Sequence, residues 1–314
     1  MLSAGSNEPW LSVVVPWWGR PAYVRETLES MASQTEGGFE CLIIDRGPED
    51  SSSWLEPYRG RFDFRLVTTS GETDWMSKTN VGFQQARGRF CCMLHTDDVW
   101  RPQRVARLRA AVERHPEAGL IFHPVRFVNS KSRLLGEWHA PLPTDRLLDS
   151  AEVLQHLIVQ NFISCPAPLL RKDLLGPGID PALWYTGDWE LYLRVASAAP
   201  CVYIDELLAD FRLHTSSLTM QRSRSAVDFR AQLDQIPERF AAALPEAERA
   251  RLLRIARFSN AVNVALAGAF HGQLRSLGGV LSRASGLGLQ DYARYLRDSR
   301  IVERTRARLR LALR

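Results

Sequence analysis

Lysine is nearly missing from this 314-residue chain: only Lys78, Lys131 and Lys172 stand among 40 basic side chains, against 35 acidic ones. The net charge of +5 is not spread out either. Residues 291–314 hold eight arginines and three acids, while the other 290 residues balance 32 against 32. A continuous basic surface of the kind that coats nucleic acid is thereby excluded. No uninterrupted apolar run reaches the ~18 residues needed to span a bilayer. Met1–Trp10 lacks the basic-then-apolar order of a secretory leader. The five cysteines (41, 91, 92, 165 and 201) show no Cys-x-x-Cys or Cys/His spacing. Neither structural zinc nor a disulfide framework is expected, and the chain reads as cytoplasmic.

What is present is ordinary globular composition, 45% apolar and 24% charged, long enough for one large domain or two average ones. The first half alternates strand and helix signals. Leu11–Val15, Cys41–Ile44, Phe64–Val67 and Phe90–Leu94 are short apolar runs that read as strands. Val24, Thr27, Leu28 and Met31 fall at helical spacing, as do Val105, Leu108 and Val112, and Gly82–Ala86 reads as helical. Strand–helix repetition predicts a mainly parallel sheet flanked by helices, with ligands beyond the carboxyl ends of its strands. Those ends carry Pro16-Trp17-Trp18-Gly19-Arg20, Asp45-Arg46-Gly47 and His95-Thr96-Asp97-Asp98. Two aromatics, three carboxylates and a histidine are thus brought to one edge.

Asp97 and Asp98 invite a divalent cation, because adjacent like charges at a strand end repel and Mg²⁺ or Mn²⁺ relieves that. The alternative is that Asp98 caps the next helix. Beyond Leu120 the signals become short strands, then a helix over Ala151–Val159, then a helix face at Trp189, Tyr192, Leu193 and Ala196. After Thr219 only helical periodicity remains, interrupted by Pro237, Pro245 and the Gly/Ser stretch 276–288. This places a boundary near 220, dividing the chain into 1–220 and a helical 221–314.

The motifs Ser12-Val-Val-Val-Pro-Trp-Trp-Gly-Arg-Pro, Gln34-Thr35, Ile44-Asp45, Asn80-Val-Gly, Ala86-Arg-Gly-Arg-Phe, Leu94-His-Thr-Asp-Asp-Val-Trp-Arg-Pro and Gly187-Asp-Trp-Glu-Leu-Tyr-Leu-Arg occur in one order. In that order the chain resembles the family 2 glycosyltransferases over about residues 10–220. The resemblance implies a GT-A fold, a Rossmann-like nucleotide-sugar-binding α/β domain, and an inverting, metal-dependent transfer from a nucleotide diphosphate-sugar. It implies that Asp45 takes the base, an acceptor suited to the N–H edge of uracil or thymine, so that a UDP- or dTDP-sugar is favoured. Trp18 would stack on the base, with Pro16, Arg20, Lys78, Asn80 and Asp97 also lining the nucleotide. Asp97 and Asp98, with His214, would hold Mg²⁺ or Mn²⁺, and Arg212 would lie over the diphosphate in a closing segment. Asp188 would be the general base, and helix amides beside it would lower its pKa. The acceptor would be a saccharide or lipid-linked saccharide, as in bacterial envelope glycan synthesis. The alternative is a non-catalytic nucleotide-sugar-binding subunit.

Three positions depart from the family pattern: His95 and Gly187 stand where acids are usual, and Arg46 replaces a frequent Asp. The arginine-rich tail is expected to pack on the body or on a second subunit, the other option being an anionic membrane surface. On this reading the tail is a docking element, separable from the chemistry.

Overall fold

The structure, a computed structural model, describes residues 9–18, 22–69, 71, 74–214, 217, 225–270 and 277–312. Strand β1 (Leu11–Pro16) is buried at all six positions. Apart from Ser12 it reads as an apolar run without alternation, as expected of a strand covered on both faces. It pairs in parallel with β2 (Phe39–Asp45) on one side and β4 (Phe90–Met93) on the other, and β3 (Asp63–Thr68) lies outside β2. Three helices make the crossovers: α1 (Val24–Ala32), α2 (Pro48–Leu55) and α3 (Trp75–Gln85). Helix α3 begins seven residues before Gly82, because Asp74 accepts a hydrogen bond from the Ser77 main-chain N–H at 2.8 Å and caps it. The polar run Lys78-Thr79-Asn80 within it interrupts the apolar period.

Beyond β4 come β5 (Val99–Trp100), α4 (Arg104–Arg114), β6 (Leu120–Phe122), β7 (Val125–Val128), β8 (Leu134–Trp138), β9 (Leu147–Leu148), α5 (Ser150–Leu157), β10 (Leu169–Arg171), α6 (Gly187–Ala198), β11 (Cys201–Tyr203) and β12 (Ala209–Arg212). The main sheet has the order β3-β2-β1-β4-β10-β6-β11-β9, with β10 and β9 antiparallel to their neighbours, and a smaller sheet runs β5-β12-β7-β8.

The described residues after 224 are built into helices: α7 (Ala226–Arg239), α8 (Glu246–Phe270), α9 (Leu277–Ala284), α10 (Leu289–Ser299) and α11 (Ile301–Ala312). Pro237 does not interrupt α7. The carbonyl of Leu233, which proline leaves without its helical partner, accepts from Asn260 Nδ2 on α8 at 2.9 Å. The Gly/Ser stretch likewise contains a helix, α9.

The tail is not a separable appendage. Asp298 is fully buried and accepts from His156 Nδ1 on α5 at 2.9 Å and from Arg297 Nε at 2.7 Å. Arg294 bonds Glu248 and Gln155. Arg304 is buried and donates to Asn263 Oδ1, while Ala307 joins Phe127 and Leu135 in a small apolar cluster. Most of the tail's arginines are therefore committed to internal contacts: the tail packs on the body, as favoured, and only its separability from the body is corrected.

Candidate active site

From β1 the chain steps outward through β2 to β3, then returns across the sheet to place β4 on the other flank of β1. Crossovers therefore diverge beyond the carboxyl ends of β1 and β4, and this is where an open α/β sheet leaves a crevice. The polar strand ends sit here. Trp17 is fully buried, whereas Trp18 is 59% exposed. Of two adjacent tryptophans, the core position falls to the first. Lys78 is buried, donates through Nζ to the Trp17 carbonyl and stands 5.5 Å from the Trp18 ring centroid. Pro16 closes β1, buried. Asp45 closes β2, also buried. One of its oxygens accepts from Arg46 N at 2.7 Å, and Oδ2 has no hydrogen-bond partner among the described residues.

Beyond β4, ligand atoms of His95, Asp97 and Asp98 all lie within 4.8 Å of one another. Asp98 Oδ1 accepts from the Arg212 main-chain N–H at 3.0 Å, while Oδ2 is buried without a partner among the described residues. Burial drives the Asp98 carboxyl well above the ordinary range and the Asp97 charge adds to this, against the Arg212 N–H and guanidinium. For Asp97 burial also acts upward. There the hydrogen bond from His214 Nε2 (2.9 Å) and the charges of His95 and His214 prevail and hold it low. Burial lowers the His95 pKa, against the Asp97 charge, which disfavours the imidazolium and favours the form that ligates metals. Two carboxyl groups and an imidazole are a fitting donor set for a divalent cation.

Arg212 does not lie free over this cluster. Its side chain is fully buried, with Nε on the Asp97 carbonyl (2.8 Å), Nη1 on the Asn129 carbonyl and Ser132 Oγ, and Nη2 on Glu26 (2.8 Å). The guanidinium also sits 4.4 Å from the Tyr23 ring centroid. With these donors committed, it braces the Asp97-Asp98 turn, and the expected diphosphate contact is corrected to that role. Asn80 is corrected similarly. Its amide clamps Ile179 through both main-chain groups at 2.7 Å. The clamp abuts Gly178, where φ of +85° and an Asn80 oxygen 2.2 Å from any added Cβ demand glycine. Arg20 lies outside the described residues.

Asp188 is the second residue of α6, half-buried, and accepts from Trp189 N at 2.7 Å. Its carboxyl is pushed up to about 7 by burial, against hydrogen bonds from Trp189, its own amide and Asn161. The lowering expected from helix amides is present but loses to desolvation. Cys165 joins the two halves of the site: its sulfur lies 3.6 Å from His95 Nε2 and feels the charges of Asp188, Asp98 and Asp97. Gly187, where an acid is usual, has Ile179 Cγ2 2.6 Å from the position of any Cβ, so a side chain there would require Ile179 to move.

Sequence reasoning did not find Glu26, Tyr23, Asn129 and Ser132 as braces, or Asn161 and Cys165 beside Asp188. It treated His95 as a departure and not as a ligand, although its place two residues before Asp97 carried the signal. A groove of about 520 Å³ lies elsewhere, between Arg25, Glu29, Tyr58, Trp100 and Arg101. It shares with the site only Glu26, which lines the groove.

The profile of glycosyl transferase family 2 matches residues 12–172. An uncharacterized protein of Mycobacterium tuberculosis is 27% identical over 66% of this chain and 60% of its own length. An uncharacterized glycosyltransferase of Haemophilus influenzae is 26% identical over 59% of this chain and 61% of its length. The chain thus spans about 60% of the curated relatives it matches. The O-antigen biosynthesis protein RfbC of Myxococcus xanthus is 27% identical over 49% of this chain, though over only 12% of its own. In fold, the chain resembles S. aureus TarS 1-349 in complex with UDP-GlcNAc, with a TM-score of 0.66 at 17% identity over 87% of this chain and 79% of that one. It also resembles the mannosyltransferase PcManGT of Pyrobaculum calidifontis in complex with GDP-Man and Mn²⁺, with a TM-score of 0.53 at 14% identity over 97% and 87%.

Proposed function

The chain belongs to glycosyl transferase family 2, and from that premise we propose that it moves a sugar from a nucleotide diphosphate-sugar to an acceptor hydroxyl by a single inverting displacement. The observation that carries this reading is a candidate cation cluster beyond β4, linked through Cys165 to a carboxyl poised near neutrality, with Asp45 Oδ2 buried at the end of β2 without a partner among the described residues. On this reading Trp18 stacks on the base and Asp45 Oδ2 accepts from it, which favours UDP- or dTDP-sugars. Pro16 and Lys78 shape that side of the pocket, with Lys78 supplying positive charge behind Trp18. His95, Asp97 and Asp98 would hold Mg²⁺ or Mn²⁺. The ion would supply Lewis-acid stabilisation of the departing diphosphate. His214, expected as a further ligand, is read instead as orienting Asp97 through its 2.9 Å hydrogen bond. Asp188 removes the acceptor proton as the oxygen attacks the anomeric carbon, a role suited to a base whose pKa lies near the working pH.

Residues 1–220 are read as the nucleotide-sugar unit and 221–314 as a helical unit buttressing it. A saccharide or lipid-linked acceptor in envelope glycan synthesis draws support from the O-antigen relative. The outward Leu289, Leu296, Val302 and Leu309 on α10 and α11 leave the C-terminal helices a face for a membrane surface or a second copy. No described helix is long and apolar enough to cross a membrane.

The test is release of nucleotide diphosphate from a panel of UDP-, dTDP- and GDP-sugars with Mn²⁺. At least one donor should turn over, and chelation should abolish it. Turnover unaffected by chelator would remove the metal from the mechanism, and none with any donor would sink the reading.

A further inference from the structure

His95 is the one member of the candidate cation cluster that departs from an all-oxygen donor set. Its Nε2 lies 3.6 Å from Cys165 Sγ, and the Trp75 ring stands edge-on at 5.2 Å between centroids, so the imidazole plane is held from two sides. With Nε2 turned to Cys165, Nδ1 is the ring nitrogen left for a cation. A second observation points to a ligand: Asp98 is 1% exposed, yet its Oδ2 has no hydrogen-bond partner among the described residues. A buried carboxylate oxygen left without a partner is costly unless an ion or donor arrives. Resting on the metal-dependent reading above, we propose that His95 is a direct nitrogen ligand and makes this centre select Mn²⁺ over Mg²⁺. Mg²⁺ demands near-ideal octahedral oxygen coordination and releases its water reluctantly, whereas imidazole nitrogen suits the transition ions. Cys165 and Trp75 orient the ring, as groups behind a metal-bound histidine usually do.

The experiment is pulsed electron paramagnetic resonance of the full chain loaded with Mn²⁺, alone and with UDP or GDP. Wild type should show ¹⁴N modulation from a coordinated imidazole, and His95→Asp should lose it. Competition with Mg²⁺, read from the free Mn²⁺ signal, should displace Mn²⁺ about tenfold more readily from His95→Asp than from wild type. A thermal melt checks that the variant is folded, and the wild-type spectrum needs no variant at all. Mn²⁺ bound without ¹⁴N modulation, or an unchanged Mn²⁺-to-Mg²⁺ ratio in the variant, would overturn the assignment while leaving the glycosyltransferase reading intact. Absence of Mn²⁺ binding, with or without nucleotide, would remove both.

Discussion

Asp188→Asn should lower sugar transfer by about 10²–10⁴-fold, the usual contribution of a positioned general base, while nucleotide affinity stays unchanged. The substitution keeps an oxygen able to accept from Trp189 N, so the start of α6 is preserved. Only the proton acceptor is lost. Because burial pushes the Asp188 carboxyl up to about 7, the wild-type kcat/KM should rise with pH through a limb near 7, and this limb should be missing from the variant. The same shift has a stability consequence of definite sign. The native carboxyl binds its proton more tightly than the unfolded one, whose pKa is ~3.9. Its stabilising contribution is full below about pH 4 and fades as pH rises through about 7. Relative to wild type, Asp188→Asn should therefore gain stability between pH 4 and pH 8. Equal background rates in the two proteins would hand the site to the non-catalytic, nucleotide-binding alternative.

Arg212→Met should destabilise the protein by roughly 3–5 kcal/mol, the range for stripping one partner from a buried charged network. The guanidinium ties three separate segments to β12: Glu26 on α1, the Asp97 carbonyl beyond β4, and Asn129 and Ser132 in the turn after β7. Without it the two carbonyls lose buried donors, and the contact with Tyr23 is lost as well. Arg212→Lys should rescue little, since an ammonium cannot reproduce the planar fork. Denaturant unfolding reads both variants. A loss under about 1 kcal/mol for Arg212→Met, small for a buried group, would show that the brace is incidental.

The parallel half of the sheet was legible because Val13–Val15, Cys41–Ile44 and Phe90–Leu94 are compact apolar runs followed by polar strand ends, and the site inherits those ends. What could not be read depends on partners remote in sequence. Asn80 clamps a segment 99 positions away, and Arg212 meets Glu26 across 186. Nothing local separates such a residue from a ligand contact. Trp17 and Trp18 are identical in type, and only the depth of the β1 end decides which is core. Pro237 is a fair breaker on local grounds, and Asn260 from the next helix cancels the defect. The tail reads as basic because its counter-charges, Glu248 among them, lie elsewhere. For Asp188, the sequence contains the helix amides that lower a pKa but not the burial that raises it.

The most direct test of the central claim is calorimetric titration of UDP and GDP into wild type with Mn²⁺, repeated with chelator and with Trp18→Ala. The account predicts one site per chain, binding that depends on the ion, and weakening of roughly 1 kcal/mol or more when the exposed ring is removed. Nucleotide binding that is indifferent to both Mn²⁺ and Trp18, or no binding at all, would contradict it.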